Sequence, residues 1–132
     1  MSLDIGIGDG SSPQPLPGEP LIQLDNDGPY WFLYPLFERL WTETEQMIDL
    51  YGYASFAGDG LTALKRMLAA ARTMVKKHPA AWQVHVGTQT APIRRELYRP
   101  VERAALLELL EAWVRIVERA EELGKPVVCF GD

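Results

Sequence analysis

The sequence predicts an α+β domain, with three helices packed on one face of a small, mostly antiparallel sheet of about three to five short strands. Three observations carry this expectation. Residues 100–123 repeat apolar side chains at three- and four-residue spacing, between a proline and a glycine. Residues 82–86 alternate apolar and polar side chains, the mark of a half-buried strand. The chain has 132 residues, 47% of them hydrophobic, enough for one core without a metal or disulfide staple.

Taken in order, residues 1–20 hold most of the punctuation: Gly6, Gly8, Gly10, Pro13, Pro15, Pro17, Gly18 and Pro20. We expect a flexible Pro/Gly-rich arm over 1–20, followed by a single α+β domain over 21–132. Residues 21–24 form a short strand candidate. Asp25, Asn26, Asp27, Gly28 and Pro29 then spell a turn, because Asx side chains cap turns and glycine accepts unusual backbone angles. A helix running through Pro35 would lose a hydrogen bond and clash with the preceding turn, at about 3 kcal/mol. The next helix is therefore expected to start at Pro35, with Tyr30, Trp31, Phe32 and Tyr34 extended before it. Its buried stripe would be Leu36, Phe37, Leu40, Trp41, Met47 and Ile48.

Residues 49–58 read as irregular, with a short strand as an option. Asp59 suits the N-cap of a helix over 59–78, whose inner face is Leu61, Leu64, Leu68, Ala71 and Val75 and which Pro79 stops. Residues 82–86 and 93–98 pair as a hairpin, presenting Trp82, Val84, Val86, Ile93 and Leu97 to one face. The long helix begins at Pro100 and ends at Gly124, with Leu106, Leu109, Leu110, Trp113, Ile116, Val117, Ala120 and Leu123 turned inward. Residues 127–130 close the chain as a strand.

The net charge of −5 is unevenly spread. Residues 1–59 hold ten acids and one base, Arg39, whereas residues 60–103 hold nine bases and only Glu96 and Glu102 as acids. Overall acidity argues against nucleic acid as a partner. No apolar run approaches the roughly 20 residues needed to cross a bilayer, and the first residues lack the pattern of a secretory signal. A single cysteine, Cys129, excludes an internal disulfide. We expect a cytoplasmic protein.

No motif specifies a reaction. Gly6, Gly8 and Gly10 lack the strand and helix flanks of a phosphate loop. Aligning Gly28 with the bend of a calcium loop puts Gln23 and Tyr34 at ligand positions, and neither is a carboxylate. Cys129 lies in an apolar run, away from the electropositive surroundings that activate a thiol, and His78 and His85 complete no known catalytic spacing. Neither a cofactor nor a metal is expected, and the balance leans away from an enzyme. Lys65, Arg72 and Lys76 share one helix face, read as solvated or paired with acids of the first helix.

Tyr and Trp join large contact area to a polar handle, so Tyr30, Trp31 and Tyr34, flanked by Asp25 and Asp27, are the candidate binding residues. Arg94 and Arg95 are expected to bring a guanidinium near them. The leading expectation is a non-catalytic interaction module, of the kind a small acidic inhibitor or immunity-type protein would be, binding a basic partner through residues 25–45. The competing one is a small-molecule binder or enzyme, with a pocket of Tyr30, Trp31, Tyr34, Asp49 and Arg95. Homodimerisation through the long helix or the hairpin edge is compatible with either.

Overall fold

The computed structural model describes residues 2–131; Met1 and Asp132, the outer ends of the expected arm and domain, lie outside the described residues. The elements run β1 (Ser2–Ile7), β2 (Leu21–Asp25), α1 (Gly28–Thr44), β3 (Tyr53–Phe56), α2 (Asp59–Lys76), β4 (Ala81–Gln89), β5 (Arg95–Glu102), α3 (Arg103–Leu123) and β6 (Val127–Gly131). Four strands make an antiparallel sheet in the order β2-β1-β6-β3, and β4 and β5 make a separate two-stranded ribbon. This is the expected α+β class, except that the hairpin does not join the main sheet.

The expected arm over residues 1–20 does not hold for Ser2–Ile7, which form an inner strand. Leu3, Ile5 and Ile7 are fully buried and alternate with Ser2, Asp4 and Gly6. The register pairs Leu3, Ile5 and Ile7 with Gly131, Cys129 and Val127, so these side chains share a face with Ala54 and Phe56 of β3. That face carries the core, together with Leu33, Phe37, Leu64, Leu68, Leu110 and Trp113 from the three helices. Each such side chain contributes about 1.5–3 kcal/mol by leaving water. Two of the glycines that suggested a loose arm serve close packing instead: a Cβ on Gly6 would stand 2.8 Å from Cβ of Pro15, and one on Gly8 would stand 2.6 Å from Cγ1 of Val128. Residues 8–20 have no regular structure, yet Leu16 N–H donates to the Ile7 carbonyl at 2.7 Å and Glu19 meets Arg119 of α3 at 3.3 Å.

α1 starts at Gly28 rather than at Pro35, so residues 30–34 are helical, not extended. Asp27, with extended backbone angles, accepts the Gly28 N–H at 2.7 Å, and Pro29 occupies the first turn, where a missing donor costs nothing. Pro35 sits inside α1 and leaves one carbonyl, that of Trp31, without its helical donor. Burial of Tyr30, Leu33, Leu36, Phe37 and Leu40 along the same helix offsets that loss. Glu45 ends the helix in the left-handed region at φ 63°.

The long helix, by contrast, starts later than expected, at Arg103, because Pro100 and Val101 belong to β5. Gly124 ends it at φ 66° as foreseen. Asp59 is the first residue of α2 rather than its cap. Ile93 lies between the ribbon strands and is 75% exposed, so it does not join Trp82 on a buried face. No helix among the described residues is long and apolar enough to cross a membrane.

Candidate functional site: an aromatic cleft with two carboxylates

Entering the helix at Gly28 decides where the aromatic run points. Positions 30, 31 and 34 of a helix lie on one side, and position 41 returns to it two turns later. Tyr30, Trp31, Tyr34 and Trp41 therefore form one wall of an open cleft of about 640 Å3. The segment after α1 and the start of β3 supply the other wall, with Glu45, Asp49, Tyr51 and Tyr53.

Tyr30 is the back of the cleft. It is 2% exposed, and its hydroxyl donates to the Ile48 carbonyl at 3.0 Å, which ties the segment after α1 to the helix. Loss of water pushes the Tyr30 phenol up, and the nearby Asp49 carboxylate adds to this, so the hydroxyl stays protonated and remains a donor. Its ring meets Trp31 edge-on at 5.1 Å and Phe37 at 5.4 Å. Trp31 leans on Tyr34 at 5.3 Å, and its indole N–H donates to Asn26 Oδ1 at 2.7 Å, which orients the ring.

The outer rings are open: Trp41 is 53% exposed, Tyr51 66% and Tyr53 47%. Asp49 Oδ1 accepts the Tyr51 N–H at 3.0 Å and the Asp49 carbonyl accepts the Gly52 N–H at 3.2 Å, so the turn holds its own carboxylate in place. Glu45 is held by its N–H on the Trp41 carbonyl at 2.7 Å. A left-handed glutamate, where glycine would be free of strain, costs about 1 kcal/mol. Neither lysine nor arginine lines the cleft.

Of the residues expected at a site, Tyr30, Trp31, Tyr34 and Asp49 come together here. Asp25 ends β2, paired with Ser2 and exposed. Asp27 caps α1 and lies 4.0 Å from Arg99 of the ribbon. Arg94 and Arg95 are not near the aromatic patch; they sit at the ribbon tip, where Arg94 meets Glu96 at 3.3 Å and Arg95 donates to Gln89 at 3.1 Å. Trp41 and Glu45 lie inside the segment 25–45 expected to bind but are not among its named candidates, and Tyr51 and Tyr53 lie beyond it. Trp41 had been assigned to the core, although its seven-residue spacing from Tyr34 already put the two rings on one side.

The other chemical candidates lie elsewhere. Cys129 is buried on the core face of the sheet, and desolvation pushes its thiol up, away from reactivity. His78 stacks on Trp82 at 4.2 Å. His85 Nε2 is 2.5 Å from Glu96 on the open surface of the ribbon and does not line the aromatic cleft. On the basic face of α2, Lys65 pairs with Glu121 at 3.2 Å and Arg72 with Glu111 at 2.7 Å, acids of α3 rather than of the first helix, while Arg66 beside that face meets Glu43 of α1. Among the described residues, no group of three or more His, Cys, Asp or Glu could hold a metal ion. No family model, curated protein or solved structure matches this chain.

Proposed function

We propose that this domain is a non-catalytic binding module whose aromatic cleft takes a cationic group presented by a basic partner. The observation that carries this is the composition of the cleft: exposed Trp41, Tyr51 and Tyr53 beside Glu45 and Asp49, with no base among them. Aromatic faces attract a cation through their quadrupole, worth about 0.5–2 kcal/mol depending on desolvation. The Asp49 carboxylate, held by the Tyr51 N–H, adds a fixed negative field, and Glu45 adds a second negative charge at the rim. Nothing in the cleft pairs a nucleophile with a base, so it favours recognition over reaction.

The volume of the cleft also favours a second reading, a small organic cation, because drug-sized ligands occupy about 300–1,000 Å3. Tryptophan fluorescence separates the two. Titration with an arginine-rich peptide is expected to shift the emission of Trp31 and Trp41, and a glutamate-rich peptide of equal length is not. Asp49→Asn with Glu45→Gln should weaken peptide binding about tenfold, with a matching loss of salt sensitivity. Tetramethylammonium binding as tightly as the peptide would favour the small-ligand reading. An emission indifferent to every cation would remove both.

A further inference from the structure

The ribbon of β4 and β5 is built to reach away from the body. Its root is anchored: Val101 is 2% exposed, and Trp82 packs on Phe32 at 5.2 Å and on His78. Its far end is not, since every residue of the segment 90–96 is exposed. Six residues separate Arg95 from Val101, so the tip stands about 20 Å beyond the anchored root. A two-stranded ribbon with nothing beneath it is marginal in water. The tip carries Ile93, 75% exposed, beside Arg94, whose side chain is 78% exposed, and Arg95. Glu96, the acid next to them, is already held by His85, Thr88 and Arg94.

We propose that this tip docks in the aromatic cleft of a second copy of the chain, in a two-fold exchange of arms. The inference rests on the cleft being a cation site, and it names the cation. Arg94 and Arg95 match Glu45 and Asp49 in number and sign, and Ile93 offers apolar surface to rings that are half in water. Within one chain the tip does not fill the cleft: no residue of the segment 89–96 lines it, and Arg94 and Arg95 contact Glu96 and Gln89 of their own ribbon. A two-fold arrangement uses both tips and both clefts and so closes at two copies.

A charge exchange tests this on the full chain. One variant carries Arg94→Glu and Arg95→Glu; the other carries Glu45→Lys and Asp49→Lys. Light scattering is expected to give the mass of two copies for the unaltered chain and of one copy for each variant alone. The equimolar mixture should return to two copies, because acidic tip then meets basic cleft and basic tip meets acidic cleft. Circular dichroism checks that both variants fold, and the tip variant decides alone should the cleft variant fail to. A single-copy mass for the unaltered chain, with arginine-rich peptide still shifting its fluorescence, would overturn the arm exchange and leave the cleft as a cation site. A single-copy mass with no response to peptide would remove both. A two-copy mass that survives the tip variant would place the interface elsewhere and overturn the proposal.

Discussion

β1 and β4 carry nearly the same alternation of apolar and polar residues, and they come to rest in opposite surroundings. Leu3, Ile5 and Ile7 are fully buried, whereas Trp82, Val84 and Val86 are only half-buried and the strand pairs on one side alone. β1 has β2 and β6 as neighbours and the helices behind its apolar face. β4 has β5 and, at its root, the start of α1. Alternation says which side of a strand is apolar; the number of neighbours decides how much that side contributes.

The largest expected effect follows from that contrast. Ile5→Ala should lower stability by about 2–4 kcal/mol in urea denaturation, since it opens a void between two layers. Val84→Ala should cost about 1 kcal/mol or less, because its side chain already touches water. Equal losses at the two sites would mean that the ribbon is as well packed as the sheet.

A smaller effect is expected at the ribbon root. A Cβ on Gly28 would stand 2.6 Å from Cγ2 of Val101 and 3.3 Å from the Pro100 carbonyl. Gly28→Ala should therefore push β5 off α1 at about 1–3 kcal/mol. Hydrogen exchange should accelerate in β4 and β5 more than in β1. Uniform acceleration would show that the ribbon does not loosen as a separate unit.

The smallest effect is confined to the tip and depends on pH. Hydrogen bonds from Thr88 and then His85, with Arg94 adding to them, hold the Glu96 carboxyl below the usual glutamate range. A carboxyl lowered in the folded state contributes its stabilisation above its unfolded value, and loses it as pH falls through the folded one. Protection of the amides in the segment 88–96, corrected for intrinsic rates, should thus fall below about pH 4. Glu96→Gln should remove that dependence, and the global unfolding midpoint should be nearly the same in both chains.

The elements whose local signals agreed were legible from the residues. The end of α3 at Gly124 follows from a residue free to turn left-handed, and β6 follows from its apolar run. The hairpin pairing was legible because both strands alternate around a turn. The start of α1 was not, because two local rules conflicted. Pro35 disfavours a helix through it, while Asp27 and Pro29 favour one beginning seven residues earlier, and burial of Tyr30 and Leu33 decided in favour of the longer helix. The same decision gathered Tyr30, Trp31 and Tyr34 into the cleft. Arg94 and Arg95 were misplaced because strand alternation gives a face, not a distance.

Residue by residue, the chain itself determined that it would form three helices and antiparallel strands around an apolar core, since periodicity and capping act within a few residues of one another. Only the tertiary structure decided that Ser2–Ile7 would be an inner strand, that the ribbon would stand apart, and that two carboxylates would face four rings. Those outcomes depend on which surfaces meet across the core, and contact between distant segments leaves no spacing in the sequence to read.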